Sequence, residues 1–554
     1  MAQVAAAGLS PGVMSAGLGA VPAEQTYLDI TQGNRVFDSL YDDDLVPARV
    51  PLDRPIRNRA LIERAESAPA QIVPGLLAET LRGAGRSLAV RDADATELAR
   101  LAGRRGDREL LIAIERPRGE SEEPLAIGIA GPGFDGNLTS GSTRLDGYVL
   151  STDVAPTVLA HYGIAVPGEM SGQPIRTVGA VDAAAVESLA ARMDVISARR
   201  GPVIGLSLLV WLAALGLAVV ATRGRLARTG VKLTGLAVVV MPAVLLLAAA
   251  IEPGQSAEML LVMLGAPALA ALALELLGGY RALAAAAAVT VLAYAADVVA
   301  GSPLTALSLL GPNPGLGVRF YGIGNELEAL LAVLVVAGTG AGLAGFLPRS
   351  SPRAGAAAFL SIGLSAAFVF AVGRFGADVG AAIVFPVGAA VAAATLAARR
   401  RRTVLLAIAA PLAVLALLAL VDLVSGANAH LTRSVLDAGG LGDIADVAQR
   451  RLQLSARSFT RPIVLFFLPV VAALVALAVV RRDRLQAWVA GRPALRAGLI
   501  GAATATAVGT LANDSGALLL EIGAAYLLVF VGFAWAEGSA REAERSTTLC
   551  GPCG

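Results

Sequence analysis

Hydrophobic and polar positions are distributed unevenly along the chain. Residues 1–200 hold most of the Asp and Glu and contain no unbroken apolar run of membrane-spanning length, whereas from Val203 such runs recur almost without pause to Trp535. This contrast predicts a mixed polar domain followed by a membrane domain. The apolar segments fall at about 203–222, 231–251, 257–277, 282–300, 326–346, 354–372, 377–397, 403–424, 463–480, 497–512 and 516–536, about eleven spans by the length rule for a bilayer core.

The gaps between these segments alternate in character. Arg223, Arg225 and Arg228 occupy one, Arg281 another, then Arg349 with Arg353, Arg399 to Arg402, and Arg481 through Arg496. The intervening gaps are "EPGQSAE", residues 301–325, "GRFGAD", residues 425–462 and "ANDSG". By the positive-inside rule the arginine-rich loops are cytoplasmic, which places residues 1–200 outside and the C-terminus inside. The segment 425–462 also carries arginines, but it is long and is read as lying on or in the outer surface.

Composition agrees with the membrane class: 56% of residues are hydrophobic, 16% are charged, and the mean hydropathy is +0.68. Lys232 is the only lysine, and Ala and Gly are abundant, a pattern expected of a GC-rich bacterial genome. The expected location is therefore a bacterial cytoplasmic membrane. The net charge of +2 gives no reason to expect a nucleic-acid partner, because the arginines serve topology.

Four polar motifs fall on the side predicted to be external: "RFYGIGNE" from Arg319, "GRFGADVG" from Gly373, "NAHLTR" from Asn428 and "NDSG" from Asn513. An ionised side chain in a bilayer costs about 2.5 to 3.5 kcal/mol by insertion scales unless it is paired or faces water. Taken singly, these residues read as helix caps, turns and interfacial anchors. Four together predict a shared outward-facing polar cavity. The substrate-binding candidates are Arg319, Tyr321, Asn325, Glu326, Arg374, Asp378, His430, Arg433, Asn513 and Asp514. Arginine forks suit phosphate or carboxylate, and the carboxylates suit sugar hydroxyls, arginine partners or a proton. The mixture fits a phosphorylated or lipid-linked glycan better than a simple ion. His430 reads either as a general base or as a solvated loop histidine. Asp297, Asp422 and Glu521 add carboxylates in the outer parts of spans, and residues 441–458 have the spacing of an interfacial amphipathic helix.

The N-terminal region reads as alternating strands and helices, the pattern of an α/β sandwich. Pro156 heads an apolar-periodic helix preceded by the capping candidates Thr152 and Asp153. "IAGPG", "STDVAPTVL", "YGIAVP" and "MSGQPI", all within residues 125–175, resemble the closing segment of alkaline-phosphatase-superfamily domains, the group of sulfatases, phosphodiesterases and phosphoethanolamine transferases. "GLLAETLRGAGRSLAV", residues 75–90, looks like the helix and strand that such domains place between their two metal sites. The resemblance implies fold more than activity. Catalytic members hold two metal ions with Asp and His clusters, and no histidine lies between "RELLIAIERPRGE" and "IAGPG". His161 follows the last expected ligand position, so a structural role is expected for it, and Asp153 matches a framework position. Neither a metal nor another cofactor is expected.

The opening residues lack a charged n-region and an adequate apolar core, so no signal peptide is read and the true start is expected upstream. Ser15 and the acidic run Asp42 to Asp44 are poor substitutes for a metal site. Near the other end, "CGPC" (Cys550 to Cys553) is read as part of an unstructured cytoplasmic tail.

The expected architecture is thus an α/β extracytoplasmic domain over residues 1–200, partly alkaline-phosphatase-like, an all-α polytopic membrane domain over 201–537, and a tail over 538–554. The expected partners are the lipid bilayer and a lipid-linked or phosphorylated glycan. Three functions remain open: a glycan-binding or glycan-processing envelope protein, a metal-dependent phosphoryl or phosphoethanolamine transferase or hydrolase with its catalytic N-terminus missing, and a proton-coupled transporter or flippase. No catalytic residue is assigned.

Overall fold

A computed structural model describes residues 1–42, 44–45, 49–119, 123–224, 226–397, 409, 412–414, 453 and 455–549. It divides into two compact units, Met1–Ala198 with Pro312–Tyr321, and Arg199–Gly311 with Gly322–Gly554. The first unit therefore recruits a short segment that the sequence places deep within the apolar half.

The first unit is built on a four-stranded sheet of order β2-β3-β1-β5, where β1 is Ser10–Ser15, β2 Leu111–Ile114, β3 Leu125–Ala130 and β5 Tyr148–Leu150. β1 runs antiparallel to β3, with Gly12 opposite Ile127, and parallel to β5, with Ser15 opposite Leu150. Every residue of β1 is buried, as expected of a central strand. A second, two-stranded sheet pairs β4 (Asn137–Ser140) with β6 (Ile175–Val178). Helices α1 (Ala23–Gln32), α2 (Arg59–Ser67), α3 (Leu76–Gly83) and α4 (Val154–His161) complete the frame. Met14, Ile127, Ile129, Leu138 and Val149 form the centre of one apolar core, and Leu77, Leu81, Val158 and Leu159 the centre of another.

Two local expectations need correction. Helix α3 is present, but residues 87–90 form no strand. Asp153 does stand at the N-cap of α4, yet its side chain makes no capping bond. It accepts instead from Ser140 Oγ and Ser142 Oγ, both at 2.6 Å, from Gln173 N at 2.8 Å and from Leu150 N at 3.0 Å. A carboxylate with four donors around it ties β4, β5 and the chain leading into β6 together. His161 Nε2 lies 3.2 Å from the carbonyl of Arg108.

The second unit is helical. Among the described residues, eight helices are long and apolar enough to cross a membrane: Ala183–Ala221, Ala227–Ile251, Gln255–Leu277, Gly279–Val299, Asn325–Phe346, Pro352–Ala371, Pro493–Ala512 and Gly516–Gly538. A ninth is formed if the pair Val464–Val480 and Arg482–Trp488, bent by 77°, is one span. The expected span at 377–397 is represented by the shorter helix Ala381–Leu396, and the one at 403–424 lies almost wholly outside the described residues. The protein is a polytopic helical membrane protein. At the C-terminal end the expected unstructured tail is corrected in part, because the last helix continues to Leu549. The "CGPC" motif lies outside the described residues.

Four of these helices position the polar motifs: α5 (Asn325–Phe346), α6 (Ala381–Leu396), α7 (Pro493–Ala512) and α8 (Gly516–Leu549). In its most apolar stretch α5 is 78% buried, against 17% for Gln255–Leu277, so it is central and the latter faces outward. Small residues permit this. Gly340 of α5 faces Gly498 of α7, and Gly388 of α6 faces Gly501 of α7, allowing backbones to approach without a hydrophobic drive between helices.

Candidate functional site

Helix α5 begins at Asn325, and its first turn carries Glu326 and Glu328, where carboxylates are favoured by the helix dipole. Asn325 and Glu328 are three residues apart and lie on one face. Asn513 follows α7, and its Oδ1 accepts from Ser515 N at 2.9 Å, which shapes the "NDSG" turn into α8. From there its Nδ2 donates to Asn325 Oδ1 at 3.1 Å and to Glu328 Oε2 at 2.8 Å. Asn325 Nδ2 in turn donates to Asp514 Oδ1 at 3.3 Å.

The third motif arrives from the other side. Asp378 Oδ1 accepts from Gly380 N at 2.9 Å, just before α6, and Gly380 packs directly on the Glu328 carboxylate. A Cβ at position 380 would stand 2.5 Å from both carboxylate oxygens, so any larger residue would displace the Glu328 carboxylate. Glu328 is 0% exposed, Asp378 3% and Asn513 6%, whereas Asp514 and Arg374 are exposed. The cluster therefore grades from buried carboxylates to an open polar rim.

Of the predicted residues, Asn325, Asp378, Asn513 and Asp514 come together around Glu328. Glu326 lies on the same turn but pairs with Arg200 at 3.6 Å, while Arg200 Nη2 donates to Gly311 O at 2.8 Å. Arg319 and Tyr321 belong to the first unit, where Tyr321 lies 3.9 Å beneath the Arg144 guanidinium. His430, Arg433 and Asp422 lie outside the described residues, as does most of the amphipathic segment 441–458. Its described end is helical: Ser455 Oγ donates to Thr510 O at 2.7 Å and Ser458 Oγ accepts from Ala517 N at 3.0 Å, bracing the "NDSG" turn.

Asp297 is a cap and not part of this cluster. Its carboxylate accepts from Leu304 N at 3.1 Å and Thr305 N at 2.7 Å, at the start of the short helix Pro303–Leu307. Glu521 sits within α8, and its Oε1 has no hydrogen-bond partner among the described residues.

Sequence reasoning passed over three features. Glu328 itself was visible as the residue three after Asn325. The fully buried Glu258, paired with Arg199 at 3.1 Å, gave no local signal. Nor did the network around Asp29 in the first unit: its Oδ1 accepts from Gln25 Nε2 at 2.8 Å and Gln32 Nε2 at 3.2 Å. Gln25 Oε1 accepts from Arg64 Nη1 at 3.0 Å, and Arg64 reaches Asp38 and covers the Tyr41 ring at 3.6 Å. Burial pushes the Asp29 carboxyl up to about 7, against the opposing pull of Gln25, Arg35, Gln32 and Arg64. Burial also raises Asp153, opposed by its four donors.

Among the described residues no three His, Cys, Asp or Glu side chains converge in a way that would hold a metal ion. Compared with protein-family models, curated proteins and solved structures, the chain has no significant match.

Proposed function

We propose that the protein is a cell-envelope membrane protein that binds or processes a phosphorylated or lipid-linked glycan at the Asn325–Glu328–Asp378–Asn513 cluster, which faces outward. The observation that carries this reading is the Asn513 carboxamide. It joins the first turn of α5 to the "NDSG" turn, while Gly380 brings the "GADVG" motif onto the same carboxylate. Carboxylates beside carboxamides offer the acceptors and donors that sugar hydroxyls need. In this reading the first unit is an alkaline-phosphatase-like module for binding or docking.

The test is native mass spectrometry of detergent-purified protein. A phosphorylated, sugar-bearing lipid retained by the wild type and lost in Asn513→Ala supports the assignment; equal retention by both, or retention by neither, overturns it.

Glu521 favours a second reading, proton-coupled transport. A buried carboxylate oxygen in a span, without a hydrogen-bond partner among the described residues, is the chemistry expected of a proton carrier. Proton-driven uptake in vesicles that survives Glu521→Gln would eliminate it.

A further inference from the structure

The ends of β1 and β5 in the first unit present a set of donors. Arg35 Nη1 donates to Gly17 O at 3.0 Å and lies 3.5 Å from Ser15 Oγ. Among the described residues Arg35 makes no ion pair, and its guanidinium carbon lies 5.4 Å from the centroid of the Phe320 ring. The nearest carboxyls, Asp29 and Asp153, act on it through space and are themselves engaged, Asp153 by four donors and Asp29 by the Gln25 and Gln32 carboxamides. A half-buried cation with no ion pair among the described residues, beside the C-terminal ends of parallel strands, is where an α/β domain would accept an anion.

That position is filled by the chain itself. Within the first unit Pro312–Tyr321 lies across the strand ends: Pro314 O accepts from the Tyr148 hydroxyl at 2.9 Å, and Leu316 O accepts from Gly19 N at 3.0 Å. The Asn313 side chain donates to Ser197 Oγ at 2.8 Å, and Phe320 packs on Tyr148 at 5.8 Å. Gly317, at φ +71, passes so close that a Cβ would stand 2.2 Å from Gly17 O and 2.7 Å from Ser15 Oγ. The segment offers carbonyl oxygens and an aromatic face to donors and a cation, as an anionic ligand would offer oxygens.

We propose that Arg35, Tyr148 and the Gly19 amide form an oxyanion-binding site that Pro312–Tyr321 occupies as an internal competitor. The ligand class is a phosphate group, free or in a lipid headgroup. Binding requires the segment to leave, so apparent affinity is reduced by the fraction of molecules in which it is docked.

The experiment is hydrogen–deuterium exchange on the full chain in nanodiscs. With phosphatidylcholine alone as the reference, one arm adds inorganic phosphate to phosphatidylcholine, and the other uses phosphatidylglycerol without it. Faster exchange over 312–321 together with slower exchange over 15–19 is expected in the arm that supplies the right source, and Arg35→Gln should abolish both changes. Phe320→Ala and Gly317→Val, which weaken docking by different means, should each lower the ligand level needed by about tenfold. No response of the wild type in either arm, or an undiminished response in Arg35→Gln, overturns the proposal. A response in the phosphatidylglycerol arm alone supports it and assigns the phosphate to lipid.

Discussion

The carboxamide of Asn513 donates to the carboxylate of Glu328 at 2.8 Å, joining residues 185 positions apart in a region of apolar helices. Both side chains are buried, so the bond replaces solvation that neither group can obtain from its surroundings.

Removing that donor should therefore be costly. Asn513→Ala is expected to destabilise the protein by about 1–3 kcal/mol, the penalty for taking a partner from a buried polar group. Glu328→Gln should cost less, because its carboxamide oxygen can still accept from Asn513. Thermal unfolding in detergent compares the two variants; equal midpoints for wild type and Asn513→Ala would contradict the expectation.

Gly380→Ala tests steric closeness separately from hydrogen bonding. Its Cβ would press on both Glu328 oxygens at 2.5 Å, and overpacking of this kind costs about 1–3 kcal/mol. Size-exclusion profiles after graded heating should show earlier loss of the monodisperse peak than for wild type. An unchanged profile would mean that the first turn of α5 can retreat freely.

Asp29 should make the first unit sensitive to pH. Its folded-state carboxyl lies at about 7 against an ordinary 3.8, so the folded state holds a proton that the unfolded chain releases. The favourable contribution is complete below about 4 and is lost as pH rises through about 7. Asp29→Asn keeps a neutral side chain at all pH values, so it should gain stability relative to wild type between pH 5 and pH 8. Unfolding midpoints across that range check this, and a constant difference between the two proteins would refute it.

Arg199 and Glu258 form an ion pair whose acid is fully buried. Arg199→Ala is expected to cost about 3–5 kcal/mol, since it withdraws a cation from a carboxylate without access to water. Adding Glu258→Gln should recover much of the loss. A double-mutant cycle in detergent measures the coupling, and additive effects would show that the pair contributes little.

Period and composition were enough to read the polytopic helical class, because a bilayer core demands long apolar runs and Val203 to Trp535 supplies them. The sequence also marked Asn325, Asp378, Asn513 and Asp514 as anomalies, since polar residues at the mouths of apolar segments carry a cost that something must offset. It did not reveal which anomalies meet. Arg319 and Tyr321 stand a few residues before Asn325, yet they pack in the first unit, whereas Asn513 comes from almost two hundred residues away. Asp297 has the same chemistry as Asp378, but two backbone amides turn it into a cap. Tertiary structure alone decided these outcomes. Hydrogen bonds and burial depend on which surfaces come within about 3 Å, and local sequence fixes the direction of a helix face without fixing what is packed against it.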